Sequence, residues 1–233
     1  MSTLGELLRA MPLASGNAGS PADQAGTRIR GRASSGVVPA FSVRDEQIQA
    51  LAHRLFFDHE AGPVRNAAFC PVEASAQTAP MCLDVAKALA AGGKYDIGLI
   101  DASASGLPLQ QQLQISTPAH SKPTWPISSR LWLVPRESWG QEPEAVSDED
   151  LDRLRDLMMD FDFSVLYCSP ASWLTVRIAQ RCDGLVLILT ANKTRRLAAA
   201  QIKEQLTRAH IPLLGTVLAE RRLPVPQGLY TRL

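Results

Sequence analysis

The sequence predicts an α/β fold: a mostly parallel, doubly wound sheet with helices on both faces, a three-layer sandwich. Three observations carry this. Apolar segments of strand length alternate with segments of helical periodicity, the mark of parallel strands joined by crossover helices. The strand segments, such as GLVLILT, are continuous apolar runs, which implies burial on both faces of the sheet. The chain is 233 residues long, 45% hydrophobic and 20% charged, so it can bury one sizeable core.

Two units are expected, residues 1–40 and residues 41–233. The first is rich in Ser, Gly, Ala and Pro, with a basic patch at Arg28, Arg30 and Arg32, and lacks the apolar surface needed to order itself. Within it Leu4, Leu7, Leu8 and Met11 have helical spacing. That spacing reads either as a frayed terminal helix or as a docking helix that folds in a partner's groove. The second unit opens with a helix over about 45–58. Strands are expected at 66–70, 96–101, 131–135, 163–167, 185–190 and 213–218. Helices are expected at 79–91, where the segment is rich in Ala and Leu, and at 148–160, 172–181 and 195–210. Residues 114–129 hold several prolines and no periodicity, so they read as a surface loop. Residues 137–147 read as a second, acidic loop. Trp125 and Trp139 fall in these loops and read equally as contact surfaces or as lids folded over the sheet edge.

Charge and composition exclude several classes. A formal net charge of +1 gives no general attraction to nucleic acid or anionic membrane. No apolar run approaches the ~20 residues of a membrane helix. The N-terminal stretch MSTLGELLRAMPLASG lacks the basic start and apolar core of a secretory signal, so a cytoplasmic location is expected. Cys70, Cys82, Cys168 and Cys182 form no C-x-x-C pair and read as buried structural thiols, with no metal site. His53, His59, His120 and His210 are scattered, and neither Ser169 nor Ser172 sits in a G-x-S-x-G turn.

The connection after the first strand is the most telling segment. Residues 67–91 read AAFCPVEASAQTAPMCLDVAKALAA: strand, turn, helix. In nucleotide-binding α/β proteins this connection carries G-x-x-x-x-G-K-[ST], whose backbone N–H groups and lysine hold phosphate. Here the turn has neither glycine nor lysine.

From about Ser42 onward the chain resembles the cytoplasmic kinase domains of bacterial tyrosine kinases of capsule and exopolysaccharide synthesis. These are deviant-Walker P-loop ATPases, a class that includes the partition and septum-site ATPases. The resemblance rests on FDFSVLYCSPASWLTVRIAQRCDGLVLILTANKTRR, on LLGTVLAERRLPVPQGLY and on DEQIQALAHRLFF. It implies a P-loop NTPase-like domain over residues 41–233. It also puts the Walker A lysine position at Thr78, the preceding glycine at Gln77 and the Mg²⁺-binding Ser/Thr at Ala79. The D-x-D motif maps to Asp101 and Ser103, the Walker B aspartate to Tyr167 and the adenine-contacting asparagine to Ala219. The E-x-x-R-x-x-R interface motif keeps Glu46 but has Gln49 and Ala52. Only Tyr230 stands where the family has a tyrosine cluster.

Without the lysine and the Mg²⁺ ligands, phosphoryl transfer loses the fixed charges on which it depends. The resemblance therefore implies a degenerate member with no catalytic residue and no obligatory cofactor. Ser75, Gln77, Thr78, Asp101 and Ser103 would form the remnant site, with Ser105 and Ser169 beside it. Asp101 reads as a surviving metal or water ligand, or as a cap on the next turn. Three functions follow as expectations. The first is a scaffold or regulator in exopolysaccharide or cell-envelope assembly, held at the inner face of the membrane by a membrane-bound polysaccharide-assembly protein or an active paralogous ATPase. The second is an ATPase or tyrosine kinase with an unorthodox ATP/Mg²⁺ site. The third is partner recruitment through the tail. With the interface motif eroded, a monomer or heteromer is expected.

Overall fold

The computed structural model describes residues 43–58, 62–116, 123–140 and 146–220. The expected tail, with Leu4, Leu7, Leu8 and Met11, lies outside them, as do Tyr230 and the loop residues 117–122 and 141–145.

The sheet has seven strands: β1 (Asn66–Pro71), β2 (Ile97–Ala102), β3 (Trp125–Ser128), β4 (Leu131–Val134), β5 (Phe163–Cys168), β6 (Gly184–Thr190) and β7 (Leu213–Ala219). Their spatial order is β3-β4-β2-β5-β1-β6-β7, and every pair is parallel except β3 with β4. The expected doubly wound α/β sandwich is therefore the observed fold.

Alternation along each strand divides the core in two. Phe69, Leu99, Val165 and Val186 face one layer, where α1 (Val43–Phe56) and α2 (Thr78–Ala90) cover them with Leu55, Phe56, Val85 and Leu89. Ala68, Ile100, Leu166 and Leu187 face the other. There α4 (Asp148–Met159), α5 (Trp173–Ala179) and α6 (Arg196–Arg208) bring Leu154, Met158, Ile178 and Leu206. The start of α4 is set by a capping box: Ser147 Oγ accepts from Asp150 N, and the Asp150 carboxylate accepts from Ser147 N. Gly98 on β2 has no side chain because a Cβ there would lie 2.5 Å from the Phe161 ring. The Asp183 carboxylate accepts from Arg65 N (2.7 Å) and Asn66 N (2.8 Å), fixing the start of β1.

One expectation fails here. Residues 125–128 form a strand, not a loop. The antiparallel β3 lies at the sheet edge, where a proline is tolerated, and its register shifts between Pro126 and Ser128. A short helix, α3 (Leu109–Gln112), also interrupts the stretch after β2, which carries no periodicity to announce it.

All parallel strands end on one side, placing the β1–α2 turn, Asp101, Tyr167 and the residues after β4 along a common rim. Among the described residues, no helix is long and apolar enough to cross a membrane.

Candidate functional site

The β1–α2 turn is closed by its own bonds. Val72 N donates to Ile188 O at 3.0 Å, continuing the ladder past β1. Ser75 takes up two N–H groups: its Oγ accepts from Gln77 N (3.2 Å) and its carbonyl from Thr78 N (3.3 Å). This is a hydroxyl turn, and it engages donors that a phosphate cradle would present. Pro80, in the first turn of α2, supplies no N–H. No residue from Val72 to Gln77 has a positive φ, and Glu73 adds an exposed negative charge. Thr78 is fully buried, and its hydroxyl has no partner.

Asp101 is also fully buried at the end of β2. Its Oδ1 accepts from Ser103 N (3.0 Å) and Ser103 Oγ (2.6 Å), and its Oδ2 accepts from Leu109 N (2.7 Å) at the start of α3. The carboxylate staples an eight-residue excursion, so Asp101 acts as a turn cap. Burial raises its pKa above the ordinary carboxylate value of 3.8, against the opposing pull of the Leu109 and Ser103 bonds. Ser169 Oγ accepts from Ala104 N (2.8 Å) and Ser105 N (3.2 Å), tying the same excursion to the end of β5.

Tyr167 stands beside Asp101 in the β2–β5 register. Its ring is buried in the α1–α2 layer, and its hydroxyl accepts from Gln112 Nε2 at 3.0 Å. Burial raises the phenol's pKa, so it stays neutral at physiological pH. Of the five expected remnant-site residues, Ser75, Gln77 and Thr78 form one hydrogen-bonded group and Asp101 and Ser103 another. No hydrogen bond among the described residues joins the two groups. Ala219 is buried at the end of β7 and offers no polar side-chain atom. Cys70 and Cys168 sit side by side on β1 and β5, fully buried, and burial pushes the Cys70 thiol up to about 12, the state of inert structural thiols.

The most unusual group belongs to no sequence motif. Arg136 follows β4 through Pro135 in a single 3₁₀ turn and is only 9% exposed. Its Nη1 donates to the Ser103 carbonyl, while Nε and Nη2 are buried without partners. A buried polar group left unpaired costs about 1–3 kcal/mol, and more when charged. Its guanidinium lies over the Trp139 ring, 5.5 Å from the centroid. Trp139, open to two readings in the sequence, is wholly buried and therefore not a contact surface. Its Nε1 donates to Asp101 O at 2.8 Å. The available signal for Arg136 was its place, a charged residue just past the carboxyl end of an apolar strand, where ligands of open α/β sheets bind.

No protein-family model matches the chain, and no curated protein matches it in sequence. Solved structures do match in fold. The kinase domain of VpsO superimposes with a TM-score of 0.61 at 17% identity, covering 77% of this chain and 97% of that one. The kinase domain of the Escherichia coli tyrosine kinase ETK gives 0.63 at 14% identity, covering 79% and 80%. The septum site-determining protein MinD from Pyrococcus horikoshii, solved with Mg-ADP, gives 0.53 at 12% identity, covering 72% and 76%. The fold is that of the ParA/MinD-like P-loop ATPases. At these identities the likeness extends to the fold alone.

A nucleotide with Mg²⁺ is the group this fold implies, and the residues present do not fit it. Ser75 takes up the Gln77 and Thr78 N–H groups, the position that the resemblance gives to the lysine holds a buried threonine, the Asp101 oxygens accept from Ser103 and Leu109, and a tyrosine ring stands where the resemblance puts the second acid.

Proposed function

We propose that this chain works by binding rather than by phosphoryl transfer, as a scaffold or regulator built on a ParA/MinD-like fold. The observation that carries the reading is Asp101. The one acid kept from the implied nucleotide-site motifs has its oxygens committed to Ser103 and Leu109 and serves the local turn. The altered β1–α2 turn and the buried Tyr167 support it. By the resemblance to capsule and exopolysaccharide kinases, the setting we propose is cell-envelope assembly. The protein would be cytoplasmic and drawn to the inner face of the membrane by a membrane-bound assembly protein or an active paralogous ATPase.

The decisive test is thermal unfolding of the full chain with millimolar Mg²⁺-ATP or Mg²⁺-ADP. A ligand of the folded state present at 100 times its Kd adds about 2.7 kcal/mol of stability. We expect no shift of the midpoint, and no phosphotyrosine after incubation with ATP. A shift removed by Asp101→Ala would return the chain to the nucleotide-binding class. Affinity capture from the native cell that yields neither an envelope-synthesis component nor a paralogous ATPase would remove the proposed setting.

A further inference from the structure

Arg136 carries a donor pair that nothing among the described residues answers. Its Nη1 is anchored on the Ser103 carbonyl, and Nε and Nη2 are both buried without a partner. These two nitrogens share one edge of the guanidinium, and their parallel N–H bonds match a two-oxygen acceptor. The fork is held rigidly. The Trp139 ring lies against the guanidinium, and that ring is fixed by its bond to Asp101 O.

No described carboxylate makes an ion pair with Arg136. Asp101, its nearest buried acid, turns its oxygens to Ser103 and Leu109 instead. The edge lies past the ends of β2 and β4, where open α/β sheets receive ligands, with β5 between these strands and β1. The neighbouring negative charges of Asp101 and Glu137 disfavour a doubly charged anion. A carboxylate fits the geometry and adds a single charge.

We propose that the Nε–Nη2 edge of Arg136 is a binding site for the carboxylate of a small ligand. The site is independent of whether the chain binds nucleotide, so the two readings fail separately.

The test follows the Arg136 Nε–H resonance in the ¹⁵N-arginine-labelled full chain, assigned by its loss in Arg136→Lys and checked by backbone assignment of the unaltered protein. Acetate is titrated at constant ionic strength, with inorganic phosphate and chloride in parallel. We expect a saturable downfield shift with acetate, a weaker response to phosphate and none to chloride. Arg136→Lys keeps the charge but loses the fork, and should weaken acetate binding, read by a backbone amide beside the site, about ten-fold or more. No saturable shift with acetate, or tighter binding of phosphate, would overturn the proposal. So would a signal already at its bonded position without acetate that moves in Glu142→Gln or Glu144→Gln, for then the chain supplies its own carboxylate.

Discussion

The indole nitrogen of Trp139 lies 2.8 Å from the carbonyl oxygen of Asp101, so the residue after the β4 rim is tied to the last turn of β2. Trp139→Phe keeps most of the apolar volume and leaves that buried carbonyl without its donor. We expect a loss of about 1–3 kcal/mol in urea unfolding. The same variant should reduce the blue-shifted, poorly quenched part of the tryptophan fluorescence. Trp173 is 56% exposed and should stay accessible to acrylamide.

Asp101 should leave a signature in the pH dependence of stability. Its folded-state pKa is raised above 3.8, so the native state binds the proton more tightly than the unfolded chain does. Its contribution is therefore fully present below about pH 3.8 and declines as pH climbs through the folded-state value. Asp101→Asn cannot titrate, and it places an amide where Leu109 N requires an acceptor. The stability advantage of the natural protein over this variant should be greatest in acid and narrow with rising pH. Urea titrations at several pH values measure it, and an advantage that widens with pH would contradict the assignment.

Replacing Tyr167 separates its hydroxyl from its ring. Tyr167→Phe removes only the bond to Gln112 and should cost about 0.5–1.5 kcal/mol. Tyr167→Asp puts an acid where the resemblance places the Walker B aspartate but empties a buried volume against α2 and strands a charge there. It should cost about 3–5 kcal/mol, with no gain of ATP hydrolysis. Recovered hydrolysis in this single variant would show that the site is nearer to working than the Asp101 bonds suggest.

Gly98→Ala should cost about 1–3 kcal/mol, because its Cβ would meet the Phe161 ring at 2.5 Å. Phe161→Leu alone should also destabilise. The double variant should be more stable than the sum of the two losses predicts, and additivity would mean the ring is not the obstacle.

The buried thiols give a further check. Cys70, Cys82 and Cys168 have no exposure, and burial raises all three pKa values. At pH 8 an aromatic disulfide reagent should modify them only at the rate of unfolding. Immediate reaction at one of them would reveal local opening of the rim.

The parallel frame is legible in the sequence because GLVLILT or FSVLYC, buried on both faces, has no reason to alternate, and the intervening helices keep their own period. The edge strand at Trp125 is not legible, since Pro126 and its neighbours carry loop chemistry that only an edge position tolerates. The turn-capping role of Asp101 is half legible. An acid at a strand end fits both a cap and a ligand, and the position of Leu109 N decides between them. Arg136 is marked in the sequence only by its place beyond a strand, because a single arginine has no period, and its unpaired edge exists only once Ser103 and Trp139 are folded around it.

The place of β1 in the sheet bears on how the protein is made. Asn66 pairs with Ser164 and Ala67 with Gly184, so this interior strand leaves the ribosome about a hundred residues before either partner exists. At about 5–20 residues per second, the nascent AAFC segment must stay unpaired for roughly 5–20 s. During that interval it is a natural target for chaperones that recognise short apolar stretches, and the yield of soluble protein should depend more on that early protection than on the stability of the finished fold.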